Sequence, residues 1–418
     1  MYMTLLQPIR GTHDIMGADV KLHNHITETA YKIAQNYGYE EIQTPIFERS
    51  EVFHRTLGDT SDIVSKETYT FIDRDKTGIT LRPEFTAGIA RSVISNGLTQ
   101  NLPQKLFSSG ALFRHERPQK CRYRQFHQIN FEYIGAKTAY SDIETIALAN
   151  EVLSKLGFNE EITLEINTLG DLASRAEYKK ALVAYFSKYK DRLSFDSLQR
   201  LEKNPLRILD TKDEEDKKIV ADAPLLLDYL NDESKEYYYK LLDGIKKLGI
   251  NYKENPKIVR GMDYYTHTVF EFTTTELGSQ GTVLAGGRYD GLVEIMGGPS
   301  IPAIGFAAGI ERLAELIKLK GFNSPIDKNF YFIAIGEVAE QNAYVLLNNL
   351  RKAGFRIFAE YSGNISKRFK KANSLNAVAT LIFGDEECIK NVIKVKNMIS
   401  GVEETIPLDK LNQYLGKF

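Results

Sequence analysis

The sequence predicts an α+β domain with a sheet assembled from hairpins, a helical insertion within it, and a small α/β domain at the carboxyl end. Three observations carry that expectation. The stretch 114–128 concentrates four arginines, one lysine and two histidines between apolar alternating runs at 105–113 and 126–134, the pattern of a long hairpin with a charged tip. Residues 171–225 then turn helical, charged and rich in tyrosine. From residue 330 onward, strand-sized and helix-sized segments alternate as in an α/β unit.

Taken in order, residues 20–38 read as an amphipathic helix closed by Gly38. Residues 39–47 follow as a strand containing Pro45, which lacks a ladder donor and so belongs at an edge or against another chain. Phe71 and Ile72 pair with residues 79–82 around a turn at 73–78. Residues 83–96 read as a helix with Ile89, Val93 and Ile94 on its apolar face. After the arginine hairpin come a helix at 142–156 and a strand at 162–167. Within the insertion, the charged run 211–218 reads as an exposed face. Sheet-like sequence returns at 258–260, 269–274 and 282–286, and a helix runs from about 309 to 319. Beyond a linker at 321–325, strands are expected at 330–335, 356–360, 377–383 and 392–395, with helices at 339–353 and 365–374.

At 418 residues the chain accommodates two or three domains. Its 43% apolar and 26% charged residues are those of an ordinary globular protein. The net charge of −1 excludes a global field for nucleic acid. From Lys328 to the end, however, 13 Lys+Arg face 9 Asp+Glu, a local +4. Two cysteines, Cys121 and Cys388, supply neither a disulfide framework nor a four-ligand zinc site. No secretory leader and no membrane-length apolar run is evident, so a cytoplasmic protein is expected.

Beyond the arginine hairpin, four fragments carry chemistry. Arginine forks fit phosphate bidentately and a phenylalanine face suits a nucleobase, so a polyphosphate nucleotide is the expected partner of the hairpin. Residues 80–88 put Glu84 and Thr86 just after a strand, where they could hold an ammonium; taken alone, the fragment reads first as a helix start with Pro83 and Glu84 in the first turn. Residues 259–265 join a strand to a turn bearing Arg260, Asp263, Tyr264 and Tyr265. Residues 285–291 read as a glycine-rich turn without the lysine and spacing of a P-loop. At 305–312 a strand passes into a helix near Arg312 through small residues that admit close backbone approach.

In order and spacing these pieces resemble the class II aminoacyl-tRNA synthetases, and among them the histidyl-tRNA synthetase family, from Arg10-Gly11-Thr12-His13-Asp14 to the end of the chain. Thr44-Pro45-Ile46-Phe47-Glu48 resembles the interface motif. Phe113 to Glu116, on to Phe126, resembles the second motif, and residues 305–312 the third. Residues 260–265 and 285–290 resemble the signatures of the histidine enzymes. The resemblance implies a catalytic domain with a mainly antiparallel sheet in two parts (1–170 and 226–320), a helical insertion (171–225) that contacts tRNA, and an α/β anticodon-binding domain (328–418). It also implies a homodimer.

The implied reaction activates L-histidine with ATP, releases pyrophosphate, and acylates the 3' end of tRNA(His). By the same resemblance, Arg114 grips the α-phosphate and the histidine carboxylate, while Arg312 holds the γ-phosphate and one face of adenine. Phe126 takes the other face, Glu116 the adenine amino group, and Arg122 joins the ATP site. Arg260 is the catalytic cation where related enzymes place a metal; Mg²⁺ bridges the outer phosphates, and no protein metal ligand is assigned. Glu84, Thr86 and Gln128 receive the ammonium; Glu132 and Tyr265 receive the imidazole, with Tyr264 and Tyr289 lining the pocket. Arg117 and Gln119 reach toward tRNA. Such a polar pocket rejects analogues by roughly 10⁴–10⁵, so no editing site is expected. Phe85 and Cys121 depart from the family, standing where relatives often carry glycine. The chief rival is the synthetase-like regulatory subunit of ATP phosphoribosyltransferase, which lacks an anticodon domain and commonly loses the catalytic arginines. An enzyme for another amino acid and a plain RNA-binding protein are more distant.

Overall fold

A strand of alternating apolar and polar residues can cover a core with one face and build a pocket with the other. That is how the main sheet is used in a computed structural model of the chain, described over residues 6–57, 63–258, 264–278, 281–321, 328–361 and 363–418. The chain divides into two compact units, residues 1–322 and 323–418. The helical insertion stays within the first.

In the first unit the described strands form an eight-stranded sheet. Its order is Glu40–Glu41, Gln104–Phe113, Gln125–Ile134, Ala303–Gly309, Thr282–Arg288, Thr266–Thr273, Thr163–Thr168, Tyr252–Glu254. The six central strands pair antiparallel, and only the two edge pairs run parallel. Helices Ala18–Asn36, Ala139–Lys155, Asp232–Lys247 and Ile310–Leu319 cover one face over a core that includes Phe131, Phe270 and Phe306. Helix Ala18–Asn36 buries Leu22, Ile26, Ala30 and Ile33, the spacing of a single helical stripe. Each large member of such a stripe contributes about 1.5–3 kcal/mol by leaving water.

Several elements depart from the sequence expectation. The strand expected at 39–47 breaks at Thr44 and Pro45. Glu40–Glu41 joins the edge of the main sheet, and Phe47–Arg49 becomes the edge of a separate three-stranded sheet with Gly78–Leu81 and Tyr69–Ile72. The helix expected from residue 83 begins at Thr86. Glu84 instead precedes it and accepts the Ala87 N–H at 2.8 Å, satisfying one of the free donors of a helix start. The charged run in the insertion is not uniformly exposed. Asp216 is fully buried and accepts from Ser194, Ser197 and Thr211. Of the strand expected at 258–260, Ile258 is not in a strand and the remainder lies outside the described residues.

The second unit is a five-stranded sheet in the order Arg356–Ala359, Asn329–Ile335, Ala377–Gly384, Val392–Asn397, Glu403–Pro407. Its first two pairs are parallel, and Glu337–Lys352 and Ile365–Ser374 are its longer helices. Of the basic cluster on the latter, Arg368 is buried and donates to the Ala334 carbonyl at 2.7 Å. Lys367, Lys370 and Lys371 remain exposed. Among the described residues, no helix is long and apolar enough to cross a membrane.

Candidate active site

On strand Gln125–Ile134, the residues Phe126, Gln128, Asn130 and Glu132 recur every second position and share one face of the sheet. They form the floor of a cavity of about 360 Å³. The neighbouring strand pairs Gly305 with Glu132 and Gly309 with Gln128. Glycine at 305 is a spatial requirement, because a methyl group there would collide with the Glu132 carboxylate. Gly286 and Gly287 serve the same end one strand further on. Phe270 and Phe306 close against the first, and Tyr265 against the second. The strand Thr282–Arg288 contains both, so it runs past the expected end at 286 and through residues expected as a glycine-rich turn; their role is close approach of strands.

Glu132 is 1% exposed and surrounded by donors. Thr86 donates to one oxygen at 2.5 Å and Asn130 to the same oxygen at 3.0 Å, while the Tyr289 hydroxyl donates to the other. Burial nevertheless pushes its pKa up to about 7, against the opposing effect of those bonds. Glu84 is also buried; among the described residues its second oxygen has no hydrogen-bond partner. Burial raises its pKa too, resisted by hydrogen bonds from Ala87 and Thr86 and by the charge of Arg114. Tyr265 lines the cavity beside Tyr289. Tyr264 does not line it; this ring backs the other two, with centroids 4.7 Å from Tyr265 and 5.6 Å from Tyr289.

The other half of the cavity is cationic. Arg114 is anchored by Nε on the Pro83 carbonyl at 2.9 Å, and its guanidinium lies over the Phe126 ring at 5.2 Å. Arg122 pairs with Glu116, and Arg312 donates to the Thr282 carbonyl. Burial first, and then the charge of Arg122, lower the pKa of Arg312 from the usual arginine value. A polyanion entering here would meet guanidinium groups already held in place, with little reorganisation left to do. Across the cavity, Thr282 fixes Glu271 by a hydrogen bond of 2.8 Å.

At the hairpin tip, Gln119 and Arg122 exchange backbone hydrogen bonds of 3.1 and 3.0 Å around Cys121. The φ of Cys121 is 58°, a left-handed conformation that favours glycine. Arg117 and Gln119 are exposed on this tip. The first-helix approach folds back on the hairpin, with Arg124 N–H donating to the Gly11 carbonyl at 2.7 Å.

The sequence matches the histidyl-tRNA synthetase family profile over residues 11–313 and an anticodon binding domain profile over 329–418. The chain is 51% identical over 413 residues to a histidine–tRNA ligase of Gluconobacter oxydans, covering 99% of each sequence. Its fold is similar to the crystal structure of apo histidyl-tRNA synthetase from S. aureus, with a TM-score of 0.83, 37% identity, and coverage of 98% of this chain and 100% of the other. This chain belongs to the histidyl-tRNA synthetase family. A Bacillus halodurans structure titled ATP phosphoribosyltransferase regulatory subunit/histidyl-tRNA synthetase shares the fold at 22% identity and a TM-score of 0.66.

Of the residues singled out from the sequence, Glu84, Thr86, Arg114, Glu116, Arg122, Phe126, Gln128, Glu132, Tyr265, Tyr289 and Arg312 converge on the one cavity. Arg260 lies outside the described residues. Phe85 is buried beneath the Arg82 guanidinium, 4.5 Å from its ring centroid, so it packs into the core while bordering the cavity. Sequence reasoning missed Asn130, Glu271 and Thr282. The first was available from the same alternation that marks Gln128 and Glu132; Glu271 belongs to a strand with no distinguishing motif, and Thr282 precedes the 285–290 signature on its strand.

Proposed function

We propose that this chain is a histidine–tRNA ligase, activating L-histidine with ATP and transferring it to the 3' end of tRNA(His). The observation that carries the reading is a buried carboxylate, Glu132, opening into the same cavity as Arg114, Arg122 and Arg312. An acceptor for an imidazole N–H and a cationic wall for a triphosphate thus share one space.

The histidine side chain would donate to Glu132 and meet the Tyr265 hydroxyl, with Tyr289 in the wall and Tyr264 backing both tyrosines. Its ammonium would be received by Glu84, Thr86 and Gln128; the unpartnered Glu84 oxygen supports this. Phe126 and Glu116 would take the adenine, and Arg312 the γ-phosphate. Arg114 would hold the α-phosphate against the histidine carboxylate. That carboxylate attacks the α-phosphorus, a P–O bond forms, and pyrophosphate departs with the broken one. Charge gathers on the α-phosphoryl oxygens, where fixed cations stabilise it most. Arg114 is one such cation and Arg260, by its place in the family signature, the other. Mg²⁺ would arrive with ATP and offset the charge of its phosphates; Glu271 offers a hard oxygen within the cavity that would help to hold it. A terminal ribose hydroxyl of tRNA then attacks the acyl carbon and displaces AMP.

Exposed Arg117 and Gln119 would touch the tRNA acceptor end, and the insertion at 171–225 the tRNA body. The second unit would bind the anticodon. The first domain would comprise 1–170 and 226–320 and the last 328–418. A homodimer is supported by exposed Ile46, Phe47, Phe71 and Ile72 around the small sheet next to Pro45. The work would be done in the cytoplasm. The regulatory-subunit reading is disfavoured by the anticodon binding match over 329–418 and by the arginine-lined cavity. Charging assays with a tRNA(His) transcript test the proposal. ATP-dependent attachment of histidine is expected, and attachment of a different amino acid, or of none, would overturn it.

A further inference from the structure

Beside the cavity, whose lining includes Glu311, three potential metal ligands converge from three elements. His23 comes from helix Ala18–Asn36, His127 from strand Gln125–Ile134, and Glu311 from the first turn of helix Ile310–Leu319. One ligand atom from each lies within 4.8 Å of the other two. His127 Nδ1 is 2.8 Å from Glu311 Oε1, and the His23 and His127 rings meet edge to face with centroids 5.5 Å apart. We propose that His23, His127 and Glu311 form a three-ligand site for a divalent transition metal, with zinc the best chemical fit.

Two imidazoles and one carboxylate are the donor set of three-ligand zinc centres, which leave a fourth position for water. Magnesium and calcium prefer all-oxygen shells and are poorly served by two ring nitrogens. Zinc–ligand bonds of about 2.0–2.2 Å put ligand atoms roughly 3–3.5 Å apart, so side-chain rotations suffice to close the set. Glu311 can ligate without abandoning its structural duty. Both its oxygens accept the His127 backbone N–H, Oε1 at 2.9 Å and Oε2 at 3.0 Å, and Oε1 also lies 2.8 Å from His127 Nδ1, so Oε2 can keep the backbone contact while Oε1 turns to an ion. The pairing of His127 with Glu311 is enough by itself to tie strand to helix, but it leaves His23 without a purpose. A metal gives that ring one: it turns its edge-on contact into a bond. It would also clamp the helix turn that carries Arg312, the residue after Glu311.

The test uses the full chain, freed of metal, and Zn²⁺ titrated against a chromogenic chelator. The wild type should bind one equivalent. Loss of an outer-shell partner typically costs 10–100-fold in metal affinity, so His23→Gln, which removes a ligand from a partly exposed helix position, should weaken binding at least about tenfold. Cobalt substitution supplies a second reading on the unaltered protein. Visible ligand-field bands without a thiolate charge-transfer band are expected. Failure of the wild type to bind an equivalent, equal binding by His23→Gln, or a thiolate band placing the ion on Cys121 or Cys388 would each overturn the proposal.

Discussion

Replacing Glu132 by glutamine isolates the interaction on which histidine selection is argued to rest. A carboxylate has about four lone-pair sites. Thr86, Asn130 and Tyr289 occupy three of them, leaving one acceptor site for the imidazole N–H. Glutamine keeps the shape but has one acceptor oxygen, no charge, and an amide that must face one of the present donors. A hydrogen bond to a charged group contributes about 1.5–3 kcal/mol, so histidine should bind roughly 10- to 150-fold more weakly. The change should leave ATP nearly untouched. Pyrophosphate exchange, with histidine and ATP varied separately, resolves the two. The pKa of about 7 adds a second signature. As pH falls through 7 the wild-type carboxyl becomes neutral like glutamine, so the gap between the two proteins should narrow. The stability effect has the matching sign. A carboxyl with a raised folded-state pKa contributes stability below the unfolded carboxyl range, and this is lost as pH rises through about 7. Equal losses toward histidine and ATP, or a gap independent of pH, would refute the reasoning.

Other substitutions probe the frame around this pocket. Gly305→Ala should expel the Glu132 side chain, abolishing histidine activation and lowering stability by about 1–3 kcal/mol in thermal melts; an active, stable variant would contradict the assigned packing. Arg288 is 1% exposed and joined to the fully buried Asp142. Arg288→Met should therefore cost about 3–5 kcal/mol by leaving that carboxylate uncompensated, and adding Asp142→Asn should recover part of it in denaturant unfolding. Cys121→Gly should keep exchange activity and change stability by no more than about 1 kcal/mol, because relief of the left-handed strain opposes the added chain entropy. A larger loss would mean that the thiol itself holds the hairpin tip.

What could be read in advance divides along physical lines. The arginine hairpin was legible because both its strands are long and alternate, and the same alternation places Gln128 and Glu132 on one face. Asn130 obeys that alternation as well, so its place on the face was legible, but its hydrogen bond to Glu132 was not. The pairing of Glu132 with Gly305 is a contact between distant parts of the chain, and no local pattern encodes it. The strand expected at 282–286 stops short of Gly287, because paired glycines usually mark a turn. Here they make room for aromatic rings, which only tertiary packing shows. The missing donor of Pro45 pointed to an edge position, whereas neither the break of the strand there nor the transfer of Phe47–Arg49 to a separate sheet was legible. Strand Tyr252–Glu254 is too short to carry a period, and helix Asp232–Lys247 lies just past the boundary drawn for the insertion.

The central claim is that one cavity selects histidine and joins it to an adenylate. Exchange of labelled pyrophosphate into ATP, measured with pure folded protein and each amino acid in turn, addresses it without tRNA. Exchange should appear with histidine alone. Absence of histidine-dependent exchange, or comparable exchange with another amino acid, would contradict the account.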